Sequence, residues 1–387
     1  MIGLDAVRAL RNGTGLGNHA RGVLRGLREA APDLALVLYS PRPARPAWAG
    51  LPTALAAPLR LPPPAWRGPG LRALWRTFRL GRAARRDGVT LYHGLTHEIP
   101  RDLPATGIPS VVTFHDLLFL THPEFFPAID RASYAWRYRW SAAHASAVVA
   151  VSAATRDALV ERLGVAADRI AVIPPARDER FAAPVPAEAL AAVRARHDLP
   201  SEYVVAVGTL EPRKNQALAV EAVARLGAGA PPLVLVGRDG GSAATLRALA
   251  HARGVAARVL LRSDVSDADL PAVVAGARAS CYLSVAEGFG MPIVEALGAG
   301  VPVVAAAVDC LREAGGPGTR YVPPDDADAL AAALGEVLGD TALAGRMREQ
   351  GRRHAARFDR VTLARRHLAL YDAVRSGGRL PPEAPGD

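Results

Sequence analysis

Two glutamates stand eight residues apart in the segment SVAEGFGMPIVEALGAGVPVVAA of residues 284–306. A strand is predicted to precede this segment, and a turn that carries Gly288 and Gly290 leads from Glu287 into a predicted helix that contains Glu295. Glycine lets the backbone approach a ligand closely, and free N–H groups at a helix start suit an anionic or hydroxyl-rich ligand. The two carboxylates could therefore hold two separate hydroxyl groups of an extended ligand. The spacing alone fits a second interpretation equally well, in which Glu287 is a cap and Glu295 is a surface carboxylate.

A pair of cations follows another predicted strand, in the segment VGTLEPRKN of residues 207–215. Arg213 and Lys214 stand where the next helix is predicted to begin, and cations at that end oppose the helix dipole. A bound diphosphate needs fixed positive charge and would explain both residues. The alternative is a pair of solvated side chains in a loop.

A glycine-rich loop, GTGLGNH at residues 13–19, follows the first predicted strand. It nearly matches a dinucleotide fingerprint, but Asn18 stands where that fingerprint has glycine. The second predicted strand ends in Tyr39 and Ser40, without the acidic residue that would bind a ribose. Both departures argue against an NAD enzyme.

A histidine and an aspartate, His115 and Asp116, stand together in the segment VVTFHDLL of residues 111–118. They lie at the carboxyl end of a predicted parallel strand, which is where α/β sheets present ligand groups. A lone histidine is often structural, but the adjacent aspartate favours a functional site.

Two Asp-x-Asp pairs, Asp267 with Asp269 and Asp326 with Asp328, could suggest a metal site. Each pair opens a predicted helix, where carboxylates cap N–H groups and favour the helix dipole. The sequence therefore predicts structural roles for both pairs and no metal requirement.

Short apolar runs alternate with helical patterns along the chain. Runs that are apolar on both faces and separated by helices indicate parallel sheets in doubly wound α/β domains. In the first half the predicted strands are Ile2–Val7, Leu34–Tyr39, Val89–His93, Ser110–Phe114, Ala147–Val151 and Ile170–Ile173. In the second half they are Tyr203–Val207, Leu233–Val236, Val259–Leu261, Ala279–Leu283 and Val301–Ala305.

The strand pattern restarts near residue 200, after a Pro/Ala-rich segment at residues 174–200 that is predicted to connect two halves. We expect a Rossmann-like domain over residues 1–180 and a second Rossmann-like domain over residues 181–360. Residues 361–387 are predicted to form a helix that packs back on the first domain, followed by a loose tail from residue 376.

The net charge of +10 belongs to the first half of the chain. Residues 1–185 contain 24 Lys and Arg against 14 Asp and Glu, whereas residues 186–387 contain 23 of each. This asymmetry indicates an anionic partner for the first half: a phosphate-bearing acceptor, an anionic membrane surface or nucleic acid. Nucleic acid is not favoured, because its binding would call for stacking aromatics in the basic patch and would leave the two glutamates unexplained.

The two cysteines, Cys281 and Cys310, stand in apolar surroundings and are predicted to be buried free thiols in a reducing compartment. No run approaches the ~18 apolar residues of a membrane helix, and the first residues lack a signal-peptide pattern. These features predict a cytoplasmic protein.

Eight arginines lie within Arg60–Arg86. Leu71, Leu74, Trp75 and Phe78 recur there at helical spacing, which fits either a membrane-surface helix or an ordinary Rossmann helix. The sequence favours the ordinary helix, with Leu74 and Phe78 packed on the sheet. The arginines could still draw the protein to anionic headgroups at the inner face of a membrane.

The pair Glu287-x7-Glu295 within EGFGMPIVEALGAGVPVVA resembles the E-x7-E signature of retaining GT-B glycosyltransferases of family GT4. The resemblance implies a GT-B fold, in which two Rossmann-like domains face a cleft. The domain of residues 1–180 would bind the acceptor, and the domain of residues 181–360 would bind the nucleotide-sugar donor. It implies that Glu287 lies by the donor sugar, that the amides of Gly288, Phe289 and Gly290 meet the sugar hydroxyls, and that Glu295 binds the nucleotide ribose.

The segment GTLEPRKN is most similar to the mannosyltransferase branch of GT4. Lys214 matches the family's lysine that binds the donor diphosphate. The family's earlier arginine is replaced by Thr209, which is expected at the donor by its position, and the resemblance implies that Arg213 supplies the second charge. Gly15 and Gly17 match a loop that touches the donor phosphate and the acceptor.

The resemblance also implies that His115 contacts the donor sugar near the reacting carbon. His19 and Asp116 are expected to contact the acceptor or to orient neighbouring groups.

Together these features predict a retaining glycosyltransferase that transfers a hexose, mannose from GDP-mannose, to a saccharide or lipid-linked saccharide in cell-surface polysaccharide synthesis. Arg213 and Lys214 would neutralise the diphosphate without a metal, and no cofactor is expected. A UDP- or dTDP-sugar donor and a GT-B-like nucleotide-sugar epimerase stay open as alternatives.

Overall fold

Two parallel sheets organise the computed structural model of the protein, which describes residues 1–381. The chain divides into two units. Unit 1 comprises Met1–Ala176 together with the C-terminal segment from Arg360, and unit 2 comprises Arg177–Asp359.

The sheet of unit 1 has seven strands in the order β3-β2-β1-β4-β5-β6-β7. Every pairing is parallel; for example, Ile2 pairs with Leu36 and Val111 pairs with Ala147. Most of these strands are buried along their whole length, because helices cover both faces of a sheet whose strands are apolar throughout. The strands are β1 (Ile2–Asp5), β2 (Leu36–Tyr39), β3 (Leu59–Arg60), β4 (Leu91–Gly94), β5 (Ser110–Phe114), β6 (Ala147–Ala150) and β7 (Ile170–Val172).

Helices connect the strands of unit 1, as parallel pairing requires. They are α1 (Val7–Arg11), α2 (Gly15–Ala30), α3 (Leu51–Ala54), α4 (Leu71–Phe78), α5 (Leu80–Arg86), α6 (Leu118–Thr121), α7 (Ala128–His144) and α8 (Ala153–Leu163).

The sheet of unit 2 has six parallel strands within the described residues, in the order β10-β9-β8-β11-β12-β13. These strands are β8 (Val204–Val207), β9 (Leu233–Val236), β10 (Val259–Arg262), β11 (Ala279–Tyr282), β12 (Val303–Ala306) and β13 (Thr319–Val322). The helices are α9 (Ala187–Arg196), α10 (Gln216–Arg225), α11 (Ala243–Ala252), α12 (Leu270–Ala275), α13 (Met291–Gly298), α14 (Asp309–Gly315), α15 (Ala327–Gly339) and α16 (Thr341–Ala356).

Three elements were not predicted from the sequence. Strand β3 has only two residues, and β13 carries the exposed Arg320, so neither forms a continuous apolar run. Helix α9 lies inside the segment that the sequence interprets as a connection. Its alanine-rich sequence AEALAAVRAR buries Val193 alone, which leaves no clear apolar stripe.

Helix α4 packs differently from the prediction. Trp75 is the residue that is buried, at 3% exposure, whereas Leu74 and Phe78 expose 47% and 46% of their surface. The expectation that Leu74 and Phe78 pack on the sheet is therefore wrong. Trp75 lies on the same apolar stripe as Leu71 and Phe78, which are four and three residues away, and its large indole is the part of that stripe that is buried.

The last helix, α17 (Arg360–Ser376), belongs to unit 1 and packs along α2. Arg360 pairs with Glu29 at 2.7 Å, and the Tyr371 hydroxyl lies 2.7 Å from Nδ1 of the buried His93. The expected tail runs from residue 376, and its part at residues 382–387 lies outside the described residues. Among the helices of residues 1–381, none has the length and apolar character needed to span a bilayer.

The approach of α2 to α17 depends on Gly26. A Cβ atom added there would lie 2.7 Å from the Arg360 carbonyl oxygen and 3.0 Å from Cβ of Ala364. Four residues earlier on the same helix, a Cβ added at Gly22 would have its nearest neighbour 3.9 Å away, at Ala176.

We expect Gly26→Ala to lower the free energy of unfolding by about 1–3 kcal/mol, because backbone and side chain of α17 must move to admit the methyl group. The matched control Gly22→Ala should be neutral or should stabilise by up to about 1 kcal/mol, because alanine favours a helix. Urea unfolding followed by circular dichroism measures both changes. Equal effects of the two substitutions would contradict the packing described here.

Candidate functional site

Glu287 lies in the loop after β11, at the carboxyl edge of the unit 2 sheet, and four side chains surround its carboxylate. Oε1 lies 2.9 Å from Nη1 of Arg213 and also pairs with the ammonium group of Lys214. It accepts hydrogen bonds from the hydroxyls of Ser284 at 2.7 Å and Tyr282 at 3.0 Å. We refer to Arg213, Lys214, Tyr282, Ser284 and Glu287 as the Glu287 cluster.

Strand order explains why residues so far apart in sequence meet here. Strands β8 and β11 are neighbours in the sheet, and parallel strands bring their carboxyl ends to one edge. Arg213 and Lys214 follow β8 in a 3₁₀ turn, Pro212–Lys214, which precedes α10. Asn215 ends this turn with a positive φ of 54°.

Electrostatics fixes the protonation of the cluster. Burial alone would raise the pKa of Glu287, but Lys214 and Arg213 outweigh it, so the pKa lies below its usual value. Burial, together with the charge of Glu287, raises the pKa of the Tyr282 phenol well above its usual value. At neutral pH the cluster therefore contains an ionised carboxylate, two cations and a neutral phenol.

The sequence predicts Arg213 and Lys214 as cations that await an anionic ligand. In the structure both have carboxylate partners, since Arg213 also pairs with Glu211 at 2.6 Å. The two cations and two carboxylates balance one another. A diphosphate bound here would have to share these cations with Glu287 and Glu211.

The predicted glycine turn lies between Glu287 and α13. Gly290 has a φ of +125°, and a Cβ atom there would lie 2.8 Å from Leu311, so this position requires glycine. Gly288 is partly exposed. Phe289 is instead buried, with its ring 5.4 Å from that of Phe358. Its side chain anchors the turn, which leaves only its backbone as a candidate ligand group.

Glu295 lies in α13, eight residues beyond the Glu287 cluster, and is partly exposed. Burial of its carboxyl group, together with the charges of Asp178 and Asp267, raises its pKa to about 8; Arg180 opposes this rise. The two predicted glutamates therefore differ in charge at neutral pH, because Glu287 is ionised and Glu295 is largely protonated.

Thr209 follows β8, where its carbonyl oxygen accepts a hydrogen bond of 2.9 Å from the Gln216 side chain. Its backbone therefore helps to fix the start of α10. Its side chain is partly exposed.

In unit 1, His115 lies at the carboxyl end of β5 and is buried. Its Nε2 lies 3.0 Å from the Leu95 carbonyl oxygen. Because a carbonyl can only accept, Nε2 carries the proton and Nδ1 is an acceptor. Burial and the neighbouring His97 lower the pKa of His115 to about 3, so the imidazole is neutral.

His19 lies on α2 with its ring centroid 4.6 Å from that of His115. It is 6% exposed, and neither of its ring nitrogens has a hydrogen-bond partner in the structure. Buried polar groups are normally paired, so two unpaired nitrogens at a sheet edge indicate a place for a hydrogen-bonding ligand.

The two glycines of the predicted phosphate loop have different surroundings. Gly15 is exposed at the start of α2, with open space around it. Gly17 is buried, and a Cβ atom there would lie 1.9 Å from the Asn12 carbonyl oxygen. Close packing therefore explains Gly17 without a ligand.

Asp116 is placed to shape the loop. Its Oδ1 accepts a 3.1 Å hydrogen bond from the backbone N–H of Leu118, at the start of α6. The ring of His115 is held by Leu95, and the backbone N–H of His115 donates to Nε2 of His97 at 3.1 Å.

Sequence reasoning missed several residues of these sites. His97 has a positive φ of 58° and stacks on Tyr138, and its position after β4 is the signal that could have revealed it. Tyr282 and Ser284 flank the predicted glutamate and could have been found from their place at the end of β11. A further signal is compositional: Lys214 is the only lysine of a chain with 47 basic residues, the other 46 being arginine.

The Asp-x-Asp pairs have structural surroundings, but not all as predicted. Asp326 caps α15 by accepting the N–H of Ala329 at 2.8 Å, as expected. Asp269 instead pairs with Arg196 at 2.6 Å, and Asp267 pairs with Arg180 at 3.0 Å, so capping is the wrong role for them. Within residues 1–381 no group of three or more His, Cys, Asp or Glu could hold a metal ion.

Comparison with known proteins identifies the family. The model of glycosyl transferases group 1 matches residues 192–354, and that of glycosyltransferase family 4 matches residues 13–181. The chain therefore belongs to the group 1 glycosyltransferases of family 4, a family of enzymes, as the sequence predicts.

Individual relatives support the predicted mannosyltransferase branch. The chain is 32% identical to O-antigen chain mannosyltransferase B of Escherichia coli over 259 residues, which is 65% of each chain. It is 37% identical to MMP alpha-(1->4)-mannosyltransferase of Mycolicibacterium hassiacum over 123 residues, 31% of this chain and 30% of that relative. The matched regions thus span less than two thirds of either relative.

A solved structure confirms the predicted GT-B fold. HepE of Anabaena, determined in complex with UDP, aligns with a TM-score of 0.73 at 22% identity, over 96% of this chain and 99% of that one.

Glu295 gives a pH-dependent prediction. The folded carboxyl keeps its proton up to about pH 8, whereas an unfolded glutamate releases it near 4.5. The native state therefore loses stability as the pH rises between these values. We expect Glu295→Gln, which is permanently neutral, to melt at a higher temperature than the parent protein at pH 8, with the difference vanishing near pH 4.5.

Melting curves from pH 4.5 to 8.5 measure this difference. The control Glu188→Gln, at an exposed position of α9, should show no such trend. A difference for Glu295→Gln that stays constant with pH would mean that its carboxyl is ionised in the folded protein.

Proposed function

We propose that the protein transfers mannose from GDP-mannose to a saccharide or lipid-linked saccharide acceptor in the synthesis of a cell-surface polysaccharide, with retention of anomeric configuration. The observation that carries the proposal is the Glu287 cluster, which concentrates two cations and a carboxylate at the edge of the unit 2 sheet. Family membership supports glycosyl transfer. The names of the mannosyltransferase relatives favour the sugar and the polysaccharide product.

The cations are suited to the leaving group. When the bond between the anomeric carbon and the phosphate oxygen breaks, the diphosphate leaves with the electron pair and gains negative charge. Arg213 and Lys214 are already held in place by hydrogen bonds, and they stabilise that charge while they are shared with their carboxylate partners. They supply charge that a metal ion would otherwise provide, and we therefore propose a metal-independent reaction.

Glu287 is suited to the sugar. As the leaving group departs, the sugar acquires oxocarbenium character, and a nearby ionised carboxylate stabilises positive charge. In the proposed retaining course, the acceptor hydroxyl attacks the face that the diphosphate leaves. Its proton passes to the departing phosphate oxygen. The new bond joins the acceptor oxygen to the anomeric carbon as the bond from that carbon to the phosphate oxygen breaks.

The remaining site residues are assigned from the hydrogen-bonding chemistry of their side chains or from the resemblance. The largely neutral carboxyl of Glu295 can both donate to and accept from ribose hydroxyls. His115 offers an acceptor nitrogen to a sugar hydroxyl, and the unpaired ring of His19 suits the acceptor. Gly15, Thr209 and the backbone of residues 288–290 stay assigned to the donor by resemblance.

Lys214→Ala should reduce donor turnover by about 100-fold or more, because one fixed charge on the leaving group is lost. Lys214→Arg should also be impaired, since a forked guanidinium does not replace a compact ammonium. The assay is release of nucleoside diphosphate from the donor, in buffer with and without EDTA; EDTA should have no effect.

The matched control is Arg346→Ala, which removes an exposed cation from α16 of the same unit. Its turnover should equal that of the parent protein. Near-normal turnover of Lys214→Ala would show that Lys214 does not act on the leaving group.

The donor is tested by thermal shift with GDP-, UDP- and dTDP-sugars and the free diphosphates. A ligand at 100 times its Kd stabilises by about 2.7 kcal/mol, so the true donor should raise the melting temperature clearly. We expect the largest rise with GDP-mannose and GDP, and a smaller one in Lys214→Ala. A larger rise with a UDP- or dTDP-sugar would refute GDP-mannose as the donor. An inverted linkage in NMR spectra of the product would refute retention of anomeric configuration.

A further inference from the structure

Helix α4 turns apolar side chains toward solvent. Leu71, Leu74 and Phe78 expose 40%, 47% and 46% of their surface, and their spacing places them on one side of the helix. Their neighbour Trp75 is buried. The eight-residue helix is therefore anchored by Trp75, at one edge of its apolar stripe, and the rest of that stripe is uncovered.

Helix α7 carries a second uncovered apolar pair. Ile129 and Trp136 are 79% and 58% exposed and stand seven residues apart, about two helical turns. Arg101 connects this pair to α4: its backbone N–H donates to the Thr77 carbonyl at 2.7 Å, and its guanidinium lies 3.6 Å from the centre of the Trp136 ring. Thr77 and Trp136 also line one cavity.

We refer to the five exposed apolar side chains of these two helices as the apolar face: Leu71, Leu74, Phe78, Ile129 and Trp136. They account for five of the seven large apolar residues that are exposed within residues 1–381. Single exposed apolar residues are ordinary, but their concentration on two neighbouring helices indicates a binding surface.

Arginines surround the apolar face. Residues 60–86 contain eight arginines and no acidic residue. Arg67, Arg79 and Arg82 are exposed, and within the described part of the chain none of the three takes part in an ion pair. By contrast, Arg76 and Arg137 share Glu98, at 3.1 and 2.9 Å.

We propose that the apolar face docks on an anionic phospholipid bilayer. Leu74, Phe78 and Trp136 enter the boundary between headgroups and acyl chains, and the unpaired arginines bind lipid phosphates. Charge decides between occupants, since two copies of this surface would bring two sets of unpaired arginines together, whereas an anionic bilayer neutralises them. This proposal does not depend on the sugar donor or on the chemistry of transfer.

The test is sedimentation of the full chain with vesicles of phosphatidylcholine alone and of phosphatidylcholine mixed with phosphatidylglycerol. We expect binding to the anionic vesicles only, weakened when NaCl is raised from 0.1 to 1 M, because the Debye length falls from about 10 Å to about 3 Å. The double variant Leu74→Ser with Phe78→Ser should bind at least about tenfold more weakly, because two apolar side chains lose their burial in lipid.

Matched controls distinguish binding by the apolar face from nonspecific adsorption and from an effect of net charge. Val160→Ser changes an exposed apolar residue of α8, at 38% exposure, and should leave binding unchanged. Arg79→Gln with Arg82→Gln should weaken binding, whereas Arg346→Gln with Arg353→Gln removes the same charge from α16 and should not. Melting curves confirm that each variant is folded.

The vesicle assay would overturn the proposal by any of three results: equal or negligible binding to both kinds of vesicle, unchanged binding of Leu74→Ser with Phe78→Ser, or loss of binding by Val160→Ser alone. Light scattering tests the alternative that the apolar face binds a second copy of the chain instead of a bilayer. If the parent protein dimerises and the Leu74→Ser, Phe78→Ser variant is monomeric, the apolar face is a contact between copies and the membrane proposal is wrong.

Discussion

The hydrogen-bonded ion cluster around Glu287 is the constraint on which unit 2 and its chemistry depend. One carboxylate oxygen receives Arg213, Lys214 and the hydroxyls of Tyr282 and Ser284. A buried charge is tolerated only when it is paired and hydrogen-bonded, so these groups hold one another in place. The cluster ties the loop after β8 to the loop after β11, and it fixes the positions of two cations before any ligand arrives.

This arrangement differs from a simple phosphate pocket. The cations are already balanced by Glu287 and Glu211, so a binding diphosphate gains their attraction only by sharing them with those carboxylates. Because a bound diphosphate competes for the two cations, it also weakens their ion pairs with Glu287. In the proposed function, the cations then face the leaving phosphate and the carboxylate faces the sugar, which assigns opposite charges to the two sides of the bond that breaks.

Much of the fold and part of the site could be predicted from the sequence. Alternating apolar runs and helices predict the parallel sheets, because strands buried on both faces must be apolar throughout. Local patterns could not predict β13, whose Arg320 is exposed, or the inward turn of Trp75 on α4, because both depend on what packs from elsewhere in the chain. The pairing of Glu287 with Lys214 was missed for the same reason, since it follows from the adjacency of β8 and β11.

The occurrence of a single lysine in this arginine-rich chain has a practical consequence. Reagents that couple to lysine side chains have one target, and that target is part of the Glu287 cluster. Once the N-terminal amine is blocked, a fluorophore or an isotope attached in this way would report on this sheet edge alone, without mutation of other lysines. Conversely, immobilising the protein on a surface through its lysine would obstruct the very groups whose ligands are sought.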